Sequence, residues 1–127
     1  MTSLKTCTIL LLTFSVILFG SKCQGNEAKE VLKKIEFDPN TADNNGRLGS
    51  EAAIDYEFCI PQEDAKLAEI RSIEPDVTVP LLAKGRIHCG DDQWLCIVSN
   101  HDAKWKEKLF RIASLPYVKR IIQTDYE

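Results

Sequence analysis

The sequence has little of what nucleic-acid-binding and fibrous proteins usually show. Its 16 lysines and arginines stand against 19 acidic residues, which gives a formal net charge of −3. A nucleic-acid-binding domain usually carries a basic patch, so this charge argues against nucleic acid as a partner. The chain also lacks low-complexity tracts, a collagen period and a heptad repeat, which excludes fibrous and coiled-coil architectures. Its 127 residues predict a single domain.

Residues that could form a catalytic centre are also scarce. Histidine occurs only twice, and the chain has neither a phosphate-binding loop nor a dinucleotide-binding motif. Ser99 lies close to His101 in the sequence, but a serine at this place is explained by a role as a helix cap. Nothing else pairs a nucleophile with a base. We therefore predict no catalytic residues, no enzymatic activity and no cofactor.

Long hydrophobic runs are equally rare, and the one that exists lies near the N-terminus. Lys5 precedes an almost unbroken apolar run over residues 7–19, and small and polar residues follow it. This order is typical of a secretory signal peptide, and the run is shorter than the about 20 residues that a transmembrane helix needs. We predict a signal peptide over residues 1–25, with cleavage after Gly25 or alternatively after Gly20. The protein is then secreted, extracellular and free of the membrane.

Residues 26–51 predict an N-terminal arm ahead of the folded domain. Apolar residues at helical spacing indicate a short helix at its start. Residues 38–50 are rich in turn-forming types and nearly lack large apolar groups, which is typical of a mobile linker. The arm either stays attached or is a cleaved propeptide, for which Lys33, Lys34 and Arg47 offer cleavage points.

Residues 52–127 predict the folded domain. Apolar and polar residues alternate over residues 54–60, which indicates a half-buried strand. The pattern then predicts a helix over residues 62–73, a strand over 77–89 that Pro80 and Gly85 make irregular, a central strand over 94–98, a helix that carries Trp105, Leu109, Ile112 and Ala113, and a last strand over 118–124. The order β-α-β-β-α-β predicts an α+β, ferredoxin-like fold, in which two helices cover one face of a four-stranded antiparallel sheet.

Five cysteines are present, and secreted proteins usually pair theirs. Cys7 is lost with the signal peptide, and the cleavage site decides whether Cys23 remains. If Cys23 is removed, then Cys59, Cys89 and Cys96 are left, and one of them has no partner. The odd thiol would either stay free or form a disulfide-linked dimer.

The three cysteines of the domain predict a disulfide with two candidate pairings. The strands over residues 77–89 and 94–98 are predicted to form a hairpin. Cys59–Cys96 would join neighbouring strands, whereas Cys89–Cys96 would cross the hairpin turn, and the sequence does not choose between them. The alternative is a metal site formed with His88 and His101. Zinc ligands usually come in closely spaced pairs, which this segment lacks, so we predict no metal.

The segment from residue 56 onwards resembles the inhibitory prodomain of subtilisin-like proteases and the free-standing inhibitors related to it. Residues 56–60 (Tyr-Glu-Phe-Cys-Ile) are similar to the first strand of that family. Residues 105–116 are similar to its second helix and the Leu-Pro turn after it, and residues 117–122 to its last strand. The resemblance implies a sheet that packs on the protease and a C-terminal tail that lies extended in its substrate cleft. Carried over to this chain, the inhibitory tail is Gln123, Thr124, Asp125, Tyr126 and Glu127.

These expectations combine into one predicted function and one alternative. The chain is predicted to be a small, secreted, disulfide-stabilised and non-enzymatic domain whose partner is a protein. The resemblance makes that partner a serine peptidase, inhibited through the C-terminal tail. The alternative, which rests on compartment and size, is a secreted toxin or venom-type effector or another receptor-binding protein. Such a protein would use the sheet face that a ferredoxin-like fold leaves exposed.

Overall fold

The computed structural model describes residues 20–47, 54–99 and 102–124, and the predicted signal peptide lies outside them except for its last residues. The elements in these ranges are α1 (Gly20–Lys34), a 3-10 turn (Pro39–Thr41), β1 (Asp55–Pro61), α2 (Asp64–Ile73), β2 (Gln93–Val98), α3 (Trp105–Ala113) and β3 (Ile121–Thr124). None of these helices has the length and the apolar character that a membrane span requires.

β1 is the central strand of the sheet, because it pairs antiparallel with β2 on one side and with β3 on the other. Its side chains alternate as the sequence predicts. Tyr56, Phe58 and Ile60 are fully buried on one face, which we call the helix face. Glu57 and Cys59 point to the opposite face, which we call the loop face, because successive strand residues point to opposite sides.

The helices cover the helix face through regularly spaced apolar side chains. Trp105, Leu109 and Ile112 follow one another along one side of α3 and are buried in the core. Ile70 and Ile73 of α2 join the same core cluster. Burying one such side chain stabilises a fold by roughly 1.5–3 kcal/mol, so these stripes fix how the helices lie on the sheet.

The predicted fourth strand over residues 77–89 is wrong. Only Thr78 pairs with β2, through backbone hydrogen bonds of 2.9 and 2.8 Å with Ile97. Two residues later, Pro80 has no N–H to donate, and the chain leaves the sheet in a series of turns. The sheet therefore has three strands instead of four. β2 was predicted to be a central strand. It instead forms one edge of the sheet, where the single bridge to Thr78 is its pairing on the outer side.

The described residues contain three α-helices, whereas the predicted ferredoxin-like fold has two. The third is α1, which overlaps the short helix predicted at the start of the arm and packs against α3. The ferredoxin-like fold is thus matched only in part. As predicted, α2 follows the first strand, α3 follows β2, and β2 lies beside β1.

The end of α1 is attached to the end of α3. Lys34 Nζ donates hydrogen bonds of 2.8 and 3.1 Å to the carbonyl oxygens of Ala113 and Leu115. These carbonyls lie at the C-terminus of α3, where the helix dipole favours a positive charge. Lys34 therefore acts as a cap for a helix that is distant in the sequence.

The residues after α1 continue along the outer edge of β3. Ile35 forms a parallel bridge with Ile121, and Glu36 N donates to Ile121 O at 2.9 Å. The carboxylate of Glu36 also pairs with the guanidinium of Arg120. Ile35 is buried in the main core. Cleavage of the arm as a propeptide stays a prediction. Cleavage at Arg47 would remove all of these contacts, whereas cleavage at Lys33 or Lys34 would leave Ile35 and Glu36 in place.

Candidate functional site

The disulfide joins Cys59 of β1 to Cys89, in the loop that precedes β2. Both predicted pairings are therefore wrong, and the register explains why. Cys96 stands opposite Phe58, and directly opposed residues of an antiparallel pair lie on the same face. Cys96 thus lies on the helix face with Phe58, whereas Cys59 lies on the loop face, where the loop brings Cys89 to it.

Cys96 keeps a free thiol that is fully buried in the core. Burial raises the pKa of the Cys96 thiol to about 12, with a small opposing effect of Arg71. The thiolate is the reactive form, so this cysteine is unreactive in the folded protein. In a mature chain that begins after Gly25, a disulfide-linked dimer would have to use Cys96 and open the core. The structure therefore favours a buried free thiol.

Glu57 connects three parts of the loop face, and the sequence analysis missed it. Its side chain is 2% exposed. Oε1 accepts a hydrogen bond from Ile87 N at 2.8 Å, and Oε2 accepts one from Thr124 Oγ1 at 3.2 Å. A buried carboxylate is costly unless it is hydrogen-bonded, so these partners explain why a glutamate is tolerated here. The sequence carried no signal for its burial, because a charged residue that alternates with Tyr56 and Phe58 is what a half-exposed strand also shows.

The loop that carries Cys89 covers the loop face of the sheet. Ile87 and Cys89 pack on Leu95 of β2 in a second apolar cluster. Gly85 lies in the left-handed region, with φ of 68°. A Cβ at this position would lie 2.7 Å from Leu95 Cδ1 and 2.9 Å from Glu57 Oε1, so only glycine lets the loop come this close. The sheet face expected to be free for a receptor is therefore largely covered.

An exposed turn over residues 80–83, the leucine turn, lies between the bridge at Thr78 and the disulfide. Ala83 N donates to Pro80 O at 3.2 Å and closes the turn. The two central residues are exposed apolar side chains, Leu81 at 72% and Leu82 at 100%. These leucines were predicted to lie in a strand, but the structure places them in an exposed turn.

The predicted inhibitory tail begins inside the sheet. Gln123 pairs with Tyr56 and Thr124 with Asp55, so both residues belong to β3. The hydroxyl of Thr124 is also bonded to the carboxylate of Glu57, as described above. The remaining tail residues, 125–127, lie outside the described residues.

The residues considered for a metal site are not brought together as ligands. Cys89 is in the disulfide and has no thiolate to offer, and Cys96 lies on the other face. His88 is exposed, with φ of 59°, and His101 lies outside the described residues. In the part of the chain that the structure describes, no cluster of His, Cys, Asp and Glu could hold a metal ion.

Glu74 is a second buried carboxylate, located just after α2. It is 3% exposed, and its Oε1 lies 3.9 Å from Lys108 Nζ. Burial raises the pKa of Glu74, Asp102 and Asp76 act in the same direction, and Lys108 opposes them. Because its folded-state pKa is above the unfolded value, the contribution of Glu74 to stability is complete below about pH 4.3. It is lost as the pH rises through the folded-state pKa.

Glu74→Gln is therefore expected to gain stability relative to the wild type as the pH rises from 4 to 8, because glutamine never carries the buried charge. Urea unfolding of both proteins at several pH values measures the difference. Glu63→Gln is a matched control, since Glu63 is exposed. Curves for Glu74→Gln and the wild type that run parallel over this pH range would contradict the assignment.

No family model, curated protein or solved structure compared with this chain matches it. The resemblance to subtilisin-type prodomains therefore stays a prediction.

Proposed function

We propose that this chain is a small secreted domain that binds another protein and catalyses no reaction. The N-terminal segment has the order of a signal peptide, and a disulfide is typical of the oxidising compartments that secretion reaches. Glu57, the buried carboxylate of the central strand, has its two oxygens engaged by Ile87 and Thr124. That engagement gives Glu57 a structural role and supports a non-enzymatic function.

The specific form that we propose is a serine peptidase inhibitor that acts through its C-terminal residues. The observation that carries it is the anchoring of Thr124, which pairs with Asp55 and donates its hydroxyl to Glu57 at 3.2 Å. A binding segment that starts from a fixed stem loses less conformational entropy when it is ordered in a cleft. Gln123 and Thr124 would be this stem, and residues 125–127 would enter the substrate cleft.

The leucine turn is a less suitable inhibitory segment. In the family that this chain resembles, the inhibitory tail lies extended in the substrate cleft. Residues 80–83 are instead closed into a turn by the hydrogen bond from Ala83 N to Pro80 O. This geometry favours the C-terminal residues over the turn as the part that would contact a peptidase.

The alternative, a toxin-type effector or receptor-binding protein, was expected to use the exposed sheet face. The loop that carries Ile87 and Cys89 occupies much of that face. The same loop would also limit the packing of the sheet on a protease that the resemblance implies, so the covered face does not separate the two candidates. The anchored C-terminal residues keep the inhibitor as the first candidate, and receptor binding becomes the conclusion if inhibition fails.

Deleting residues 125–127 is expected to weaken inhibition of subtilisin-like or chymotrypsin-like peptidases by on the order of tenfold or more, since each 1.4 kcal/mol of lost contact is tenfold. Inhibition constants of the secreted protein and of the deletion variant measure this. Leu82→Ser is the matched control, because the leucine turn follows the bridge to β2, which is the edge of the sheet opposite β3. It is expected to leave inhibition unchanged. No inhibition by the wild type, or equal inhibition by the deletion variant, would contradict the proposal.

A further inference from the structure

The loop that carries Cys89 is attached to β1 at two neighbouring places. The disulfide joins Cys89 to Cys59, and Ile87 N donates a hydrogen bond to Glu57 Oε1 at 2.8 Å. The attached residues are two apart in both segments, and Glu57 and Cys59 point to the same face of β1. Each attachment therefore limits how far the other can open.

The same loop also holds β3, the strand that leads to the C-terminal residues. Ile122 stands opposite Glu57 in the sheet and packs against the apolar cluster that includes Ile87. Thr124 Oγ1 donates to Glu57 Oε2 at 3.2 Å, while Oε1 of the same carboxylate accepts from the loop. The loop thus contacts β3 directly and also through the carboxylate that it orients.

Glu57 is the residue that positions Thr124, and its effect depends on the loop. The carboxylate is buried because the loop lies over it. If the loop opens, water reaches both carboxylate oxygens and competes with the hydroxyl of Thr124. A hydrogen bond that competes with water contributes much less than one that is shielded from it.

The disulfide can be reached from solvent on one side. Cys59 is partly exposed and lines a pocket of about 200 Å³, together with Ile87 and His88 of the loop. Cys89 is 3% exposed. A thiolate that enters the pocket therefore reaches Cys59 before Cys89, and access of this kind is one of the factors that govern thiol–disulfide exchange.

We propose that the Cys59–Cys89 disulfide regulates the C-terminal residues through Glu57. With the bond intact, the loop keeps Glu57 on Thr124, and β3 is a fixed stem for the residues that follow. With the bond reduced, the loop opens more often and the stem loosens. The effect on inhibition rests on the function proposed above, whereas the coupling between disulfide and stem does not.

Exchange with a dithiol converts one state into the other. A thiolate of the dithiol forms a bond to Cys59 Sγ as the Cys59–Cys89 bond breaks, and Cys89 leaves as a thiolate that takes up a proton. The second thiol of the dithiol then displaces Cys59, which is also protonated. The dithiol is oxidised to its own disulfide, and the protein gains two thiols. An oxidised dithiol restores the bond by the reverse reaction.

The test of the coupling is amide hydrogen exchange of the secreted protein before and after reduction by dithiothreitol. Exchange in β3 is expected to become faster by about tenfold or more, the factor for one hydrogen bond to a charged group. The amides of Leu109 and Ile112 in α3 are the internal control, because they lie on the helix face and report global unfolding. Equal acceleration in β3 and α3, or none in β3, would overturn the proposal.

Thr124→Val and Thr124→Ser are the matched variants, since valine keeps the branched shape and serine keeps the hydroxyl. In the oxidised protein, Thr124→Val is expected to speed exchange in β3 about tenfold, and Thr124→Ser to leave it nearly unchanged. After reduction, the two variants are expected to differ by less than about threefold, because coupled sites are not additive. An equal effect of Thr124→Val in both forms would contradict the coupling.

The rate of reduction gives a second measurement that starts from the folded, oxidised protein and does not depend on the stability of the reduced form. Without the hydroxyl of Thr124, Glu57 is held less firmly and the loop opens more often. Dithiothreitol is therefore expected to reduce Thr124→Val several times faster than Thr124→Ser. Equal rates for the two variants would count against the proposal.

Inhibition of subtilisin-like peptidases by the oxidised and the reduced protein gives the functional result. Reduction is expected to weaken inhibition by the wild type about tenfold, and inhibition by Thr124→Val by less. A wild type that inhibits no peptidase would contradict the proposed function, while hydrogen exchange and reduction rates still decide the coupling. Equal inhibition by the oxidised and the reduced wild type would overturn the regulation.

Discussion

Replacing Cys59 and Cys89 together by serine is expected to lower the free energy of unfolding by about 3–4 kcal/mol, the chain-entropy value for a loop of this length. The two cysteines are 30 residues apart, and the closed loop includes all of α2. Without the disulfide, the bond from Ile87 N to Glu57 and the bridge at Thr78 remain to hold the loop on the sheet. The free energy of unfolding of a small domain is only about 5–15 kcal/mol, so this loss is a large fraction of it.

Urea unfolding of the double variant and of the wild type measures this effect. The wild type in the presence of a reductant is the matched control, because it loses the same bond without any change of sequence. Its unfolding midpoint is expected to move to that of the double variant. A double variant within about 0.5 kcal/mol of the wild type, the range of neutral surface changes, would contradict the disulfide's role.

Trp105→Ala is the second large effect, with an expected loss of about 3–5 kcal/mol for a fully buried tryptophan. Trp105 is 1% exposed and begins α3. Its Nε1 donates to Asp43 O at 3.0 Å, so the side chain also connects the domain to the arm. The substitution therefore opens a cavity and removes a contact between distant parts of the chain.

Trp105→Phe separates these two contributions. Phenylalanine keeps most of the apolar burial but cannot donate to Asp43, whose carbonyl oxygen still accepts a hydrogen bond from Gly46 N at 3.0 Å. The expected loss is therefore smaller, about 0.5–1.5 kcal/mol for one hydrogen bond. Thermal or urea unfolding of both variants measures the difference. A Trp105→Phe protein as stable as the wild type would show that the contact with the arm contributes nothing.

The elements with regular apolar spacing were predictable from the sequence. Alternation around Tyr56 and Phe58 predicted β1, and the helical stripe that includes Trp105 and Leu109 predicted α3. In these segments a local pattern and tertiary burial agree, because the same side chains that set the period also fill the core. The adjacency of the first strand and the hairpin strand followed from the predicted topology.

The segment 77–89 could not be predicted in the same way. Its composition suits a strand up to Pro80, but its path is set by contacts with residues far away in the sequence. The disulfide with Cys59 and the hydrogen bond from Ile87 to Glu57 draw it onto the loop face. Disulfide connectivity does not follow from sequence, so neither the loop nor the leucine turn could be derived.

The placement of Cys96 shows which information was missing. Its assignment to a disulfide assumed that it could face Cys59 across neighbouring strands. A register in which Cys96 stands opposite Phe58 places its side chain on the helix face instead. Successive side chains of a strand point to opposite faces of the sheet, so a shift of the strand pairing by one residue moves each side chain to the other face. The sequence alone did not fix this register.

Mapping the disulfide of the secreted protein tests the central claim most directly. The secreted protein is alkylated before and after denaturation, digested without reduction and analysed by mass spectrometry. We predict one linked peptide pair that contains Cys59 and Cys89, and a Cys96 that is alkylated only after denaturation. A bridge from Cys96 to Cys59 or Cys89, or a Cys96 that reacts in the native protein, would contradict the covered loop face on which this account rests.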